Sequence, residues 1–244
     1  MNESIKIISF GYRCSSAGIL KKLGLKNESY PFDWLISRLF VIKHCIETNF
    51  TEFLNLENYE KKQCKTYEMA DINNIFICDE DLIVNKYYQP LNIPNPEVAY
   101  KWYLAMNHHN ILEKDREYYN RCIHRFQDLM KTENKKIFLH ICPLILLDKY
   151  NEIKDEIIKE LNIFDEFIYM ISNGNMRGII FIMVRDDNNI NKMKGELLFF
   201  SELTKIKIYI VYANKNFIDA GEIFMGNNIE EELFIEEIIK KEIF

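Results

Sequence analysis

The chain has 244 residues, 37 acidic and 31 basic side chains, a formal charge of −6 and 48% hydrophobic residues. That balance excludes a disordered chain and argues against a phosphate-backbone binder, whose domains carry a basic surplus. Eight glycines and five prolines exclude collagen-like or linker-rich organisation, and the length suits a single domain, 1–244, with a core large enough to fold without staples.

Residues 5–10 (IKIISF) form a short Ile-rich run that stops at Gly11, the pattern of a buried strand broken by a glycine. Ala17, Leu20 and Leu23 recur every three residues with Ile19 beside them, which predicts a helix over 15–23 capped by Gly24. Pro31-Phe32-Asp33-Trp34 follows, with Asp33 placed to N-cap a helix whose face carries Leu35, Leu39, Ile42 and Ile46. Residues 57–112 show no sustained periodicity, apart from a hairpin suggested by 74–78 and 82–84, and Pro90, Pro94 and Pro96 enforce a loop. This stretch is expected to be an irregular insertion or cap. From 113 onward the pattern sharpens into a helix over 113–131, a strand over 137–141, a helix over 150–171 and an Asn173-Gly174 turn. A strand over 179–184, a helix over 191–204, a strand over 206–212 and a closing helix over 229–243 complete it. Alternation with continuous apolar strands predicts an α/β fold: a mostly parallel central sheet, helices on both faces and the irregular middle segment capping one edge.

In such a sheet the site lies at the carboxyl ends of the strands. The residues there are Gly11, Tyr12, Arg13 and Cys14 after the first strand, then His140 and Cys142, then Arg185, Asp186 and Asp187, then Asn214. Cys14 stands at or beside the N-terminus of a helix, next to Arg13, where unpaired N–H groups and the helix dipole stabilise a thiolate and can serve as an oxyanion hole. As an ordinary packing residue it would let helix and strand approach closely. A cysteine hydrolase also needs an imidazole to take the thiol proton and a third group to orient that imidazole; strand order offers Cys14, His140 and Asp186.

The six cysteines (14, 45, 64, 78, 122, 142) contain no C-x-x-C pair, so reduced thiols in a reducing compartment are expected. Residues 1–9 hold no apolar signal core and no apolar run nears the ~18 residues of a membrane span, so the expectation is a cytoplasmic protein (host cytoplasm if the chain is viral) with no membrane partner. Zinc-ligand spacing is missing, Asp79, Asp81 and Asn85 lack the glycine and glutamate of a calcium loop, and there is no G-x-x-x-x-G-K or G-x-G-x-x-G loop. No metal and no cofactor is expected. Arg121 and Arg125, four apart on one helix face, suit a carboxylate or phosphate.

Ser9-Phe10-Gly11-Tyr12-Arg13-Cys14-Ser15-Ser16-Ala17, then Leu20, Leu23-Gly24-Leu25 and Ser29-Tyr30-Pro31-Phe32-Asp33-Trp34, resemble the N-terminal signature of the DUF1796 family of papain-like cysteine peptidases, with members in bacteria and large DNA viruses. A weaker echo runs through His108-His109-Asn110 and Arg121-Cys122-Ile123-His124-Arg125-Phe126. The family pattern has a second arginine where Cys122 stands and a carboxylate where Asn110 stands. The resemblance implies a nucleophilic Cys14, with Asp33 and His108 or His109 as the other matched polar positions and Asp33 or Asn110 as orienter.

Two functions follow as expectations. One is an intracellular cysteine-dependent hydrolase, peptidase- or amidase-like, that cuts peptide or protein substrates through an acyl-Cys14 intermediate. Gly11, Arg13, Arg121, Arg125 and Arg185 would assist substrate binding. The alternative is a Rossmann-like α/β enzyme or binding protein for a nucleotide or sugar, in which Gly11 and the helix N-terminus hold an anion and Cys14 is structural. A protein-interaction module built on the aromatic-rich middle segment is a third option.

Overall fold

The computed structural model describes residues 5–11, 14–71, 74–88, 104–106, 115–142, 145–185, 194–201, 203–213 and 229–244. Two sheets organise them. The larger uses β1 (Lys6–Ser9), β6 (Lys136–Ile141), β8 (Met176–Arg185), β10 (Lys207–Ala213) and β9 (Lys194–Phe200) in the order β1-β6-β8-β10-β9, with β7 (Ile145–Leu146) also on β8. β1, β6, β8 and β10 run parallel, and β9 closes the row antiparallel to β10. The second sheet is antiparallel, β2 (Ile36–Ser37), β5 (Leu104–Met106), β4 (Asn74–Asn85) and β3 (Tyr59–Asp71) in that order.

The parallel strands are apolar on both sides, and side chains alternate between faces with period two. Ile137, Leu139, Ile141, Ile179, Phe181 and Met183 pack with Ile19 and Leu20 of α1 (Ser15–Lys22) and with Ile235 and Ile239 of α6 (Ile229–Ile243). Phe138, Ile180, Ile182 and Val184 face the other way. They meet α2 (Leu39–Glu47), α4 (Arg116–Lys131) and α5 (Leu147–Ser172) in a core shared with Ile83, Leu104 and Met106 of the second sheet. Helices therefore cover both faces of a mostly parallel sheet. At the centre of the shared core Phe10 stands 5.9 Å from Phe32, 6.0 Å from Phe126 and 5.2 Å from Phe138, ring centroid to ring centroid. Phe50 extends the cluster from the short helix-capping turn before α3 (Thr51–Leu54), 5.8 Å from Phe32.

Element ends follow the expected chemistry. After α1, Gly24 adopts φ +68° and its N–H reaches the Lys21 carbonyl while the Leu25 N–H reaches that of Leu20, the paired bonds of a Schellman cap.

Three expectations differ from the structure. Within residues 57–112, the described part is an ordered antiparallel sheet, and the two pieces read as hairpin arms belong to one strand, β4, paired along β3. Near the root of that hairpin Tyr59, Leu82, Ile83 and Val84 are buried, whereas Lys61, Lys62 and Gln63 are exposed. The apolar alternation that marks a half-buried strand is thus missing from much of it. Residues 194–200, read as helix, form β9. Gly195 lies under Phe234 of α6, where a Cβ would come within 2.5 Å of the ring; a glycine gives a helix little but gives this sheet room for the aromatic. Asp33 caps no helix: residues 31–34 are a turn, β2 intervenes, and α2 begins after Arg38.

Candidate functional site at the strand ends

Cys14 occupies the N-cap position of α1, with φ −73° and ψ −8°, and its carbonyl accepts the first intrahelical bond from the Gly18 N–H at 2.7 Å. Its side chain is half-buried, and the turn before it is held from several sides. The Phe10 N–H donates to the Leu139 carbonyl at 2.8 Å. The Phe10 carbonyl accepts from Nδ1 of His140. The carbonyl of Gly11, itself buried, accepts from the Ser37 hydroxyl at 2.6 Å. On the helix side, Ser16 Oγ accepts the Ile141 N–H at 3.1 Å. The residues on either side of Cys14 are thus bonded to the end of β6, Phe10 to His140 and Ser16 to Ile141, which makes one ledge of the two strand ends.

A carbonyl only accepts, so Nδ1 of His140 carries the proton and Nε2 the lone pair. His140 is 3% exposed. Burial lowers its pKa to about 4, against the pull of the Phe10 carbonyl and with the help of the Arg38 cation, so the ring is neutral near pH 7. Burial pushes Cys142 up to about 12, with Arg38 acting the other way. It likewise pushes Cys45 up to about 12 and raises Cys122. Those three thiols are held protonated, while a thiol at a helix N-terminus lies where N–H groups favour the anion.

The other sequence-derived candidates are dispersed. Asp33 is fully buried; its carboxylate pairs with Lys26 and accepts the Tyr30 N–H at 2.8 Å. Burial raises its pKa against the Lys26 charge. Arg125 donates to the Ser29 carbonyl at 2.5 Å, so the Ser29–Trp34 and Arg121–Phe126 segments meet as a knot rather than lending a charge to the ledge. Arg121 points outward, 61% exposed and 4.0 Å from Glu117; the two arginines do not act as a pair. Arg185 ends β8, its backbone opposite Leu146 and Ala213. Arg13, His108, His109, Asn110, Asp186 and Asn214 lie outside the described residues. Sequence reasoning missed Ser16, Ser37 and Arg38: a serine carries no distinctive signal, and only the pairing of distant segments brings these to the turn. A cleft of about 390 Å³ opens elsewhere, between the C-terminal ends of α2, α4 and α5 around Asn49, Phe126 and Lys131. Among the described residues no group of three or more His, Cys, Asp or Glu could hold a metal, and no helix is long and apolar enough to cross a membrane.

The family model described as "Putative papain-like cysteine peptidase (DUF1796)" matches residues 5–145, more than half of the chain. The chain belongs to the DUF1796 family. The match begins at β1 and ends just past His140, so both sides of the ledge fall within it. A mimivirus protein, "Uncharacterized protein R408" of Acanthamoeba polyphaga mimivirus, is 25% identical to this DUF1796 chain over 197 residues, spanning 80% of the chain and 68% of the viral protein. No solved structure matches it significantly.

Proposed function

We propose that this protein is a cysteine-dependent hydrolase that cleaves a peptide, isopeptide or amide bond in a peptide or protein substrate. In this reading the Cys14 thiolate attacks the substrate carbonyl, the amine leaves with a proton, and water then releases the acyl group from Cys14. The observation that carries it is the placement of a half-buried thiol at the N-terminus of α1, on a turn clamped at the carboxyl edge of a parallel sheet. The first-turn N–H groups of α1 would favour the thiolate and then the oxyanion. His140, whose Nδ1–H is held by the Phe10 carbonyl and whose Nε2 is unprotonated, serves as the base, and that carbonyl takes the orienting place that strand order gives to Asp186. His109 or His108, with Asn110, is the competing assignment. Asp33, already engaged by Lys26 and the Tyr30 N–H, goes to the fold, and Arg13 and Arg185 remain as substrate contacts.

The decisive measurement is limited alkylation near neutral pH with peptide mapping. Cys14 should take up iodoacetamide first, while Cys45, Cys122 and Cys142 stay unmodified until the protein unfolds. Labelling of Cys14 no faster than Cys45 would sink the reading.

A nucleotide- or sugar-binding role with Cys14 as packing is the second reading. It draws support from the parallel sheet covered on both faces, which hosts ligands at this same edge, whereas papain itself packs a helix on an antiparallel sheet. Under it, a nucleotide or sugar nucleotide raises the thermal midpoint, and Cys14→Ala leaves that rise intact.

A further inference from the structure

We propose that the cleft between the C-terminal ends of α2, α4 and α5 binds a small molecule with an apolar body and a carboxylate head, a medium-chain or arylalkyl carboxylate. The proposal does not depend on the hydrolase reading. α4 and α5 end just before the amino ends of β6 and β8, so the cleft lies at the opposite end of the parallel strands from the ledge at Cys14. Its volume, about 390 Å³, falls within the ~300–1,000 Å³ of small-molecule sites. The end of α2 builds it. Asn49 and Phe50 both take positive φ, 52° and 61°, a conformation that L side chains rarely adopt. They are held there by the Asn49 N–H on the Ile46 carbonyl at 3.1 Å and the Phe50 N–H on that of Cys45 at 2.6 Å. This reversal sets the Phe50 ring in the lining beside Phe126, 6.2 Å between centroids. It also sets the Asn49 amide against α4, where Gln127 Nε2 donates to Asn49 Oδ1 at 2.5 Å. Met130 and Ile171, part-buried against the shared core, add apolar wall. The cleft is thus preformed, and an apolar body seated in it removes that surface from water.

Of the residues that line the cleft only Lys131 is charged. Its ammonium stands 3.0 Å from Asp128, in a pair whose side chains are 74% and 76% exposed. Water weakens such a pair, so a ligand carboxylate competes for the ammonium. Helix C-termini by themselves favour a cation, but carbonyls at two of these ends are already engaged. Those of His44, Cys45 and Ile46 take the N–H groups that close α2, and that of Leu129 takes both the N–H and the hydroxyl of Thr132. Glu47, the last residue of α2, is paired with Lys43 at 2.6 Å. The charge that faces the cleft is therefore positive, and it selects a carboxylate over an ammonium.

The test is isothermal titration calorimetry of the full-length protein with hexanoate, octanoate and octylammonium. Wild type, Lys131→Glu and Met130→Trp are compared, each checked for cooperative thermal unfolding. Octanoate should bind the wild type saturably at one site. Hexanoate should bind about fifteenfold more weakly, at about fourfold per methylene. Lys131→Glu, a change at an exposed position, should reverse the preference between octanoate and octylammonium. Met130→Trp, which fills the cleft, should abolish octanoate binding; should it not fold, the chain-length series and Lys131→Glu decide alone. The absence of saturable octanoate binding overturns the proposal. So does octylammonium binding the wild type as tightly as octanoate, or an octanoate affinity that Lys131→Glu leaves unchanged.

Discussion

His140 is 3% exposed and gives its Nδ1 proton to the Phe10 carbonyl, so protonating Nε2 would place a charge in a dry site beside Arg38. Its folded pKa of about 4 lies below the ~6.5 of an unfolded histidine. Between those values the unfolded chain holds the extra proton, and stability falls as pH drops; above pH ~6.5 the full contribution is present. At about pH 5 the loss amounts to roughly 2 kcal/mol. His140→Gln keeps an N–H for the Phe10 carbonyl and removes the titration. The wild-type thermal midpoint should then fall further than that of the variant between about pH 7.5 and pH 5. Comparing the two proteins removes the background from Asp33, whose raised pKa acts with the opposite sign. Parallel slopes would mean that this imidazole titrates as it does in an unfolded chain.

At the scale of elements, β6 and β8 fit through one unequal pair. Phe138 is directly opposite Gly178 in the parallel register, and a Cβ on Gly178 would be driven into the Phe138 ring. Gly178→Ala should cost about 1–3 kcal/mol, read as a lower denaturant midpoint with an unchanged slope; an unmoved midpoint would show that the ring swings aside. The same two-sided burial explains what was legible beforehand. Residues 137–141, 179–184 and 206–212 read as strands because both faces are apolar, and each lies within a strand of the large sheet apart from the first residue of the last run. β9 was hidden because Leu197, Leu198, Phe199 and Phe200 form an unbroken apolar run whose period fits either state. The extent of the long hairpin was hidden because its first arm opens on the polar run Glu60–Gln63 and its second is interrupted by Asp79-Glu80-Asp81, so that 74–78 and 82–84 read as separate pieces. At the site, Cys14 stood out through the glycine and helix start around it, and His140 through its strand end. Ser37 did not, since its meaning comes from a bond to a residue 26 positions away.

For the molecule as a whole, the Phe10, Phe32, Phe50 and Phe126 cluster joins β1, the turn before β2, the end of α2 and α4. It lies in the core that the two sheets share. Phe126→Ala should therefore cost about 3–5 kcal/mol and lower one common transition, with far-ultraviolet circular dichroism and tryptophan fluorescence moving together. Separate transitions would show that the second sheet unfolds on its own. The bond from His140 to Phe10 spans 130 residues, and β1 finds its described partner only in β6. A ribosome adding about 5–20 residues per second needs roughly ten seconds to make that interval. Throughout that time the segment around Cys14 lacks its bonds to β6. The bonds that join Phe10 to His140 and Ser16 to Ile141 can therefore close only once β6 has been made.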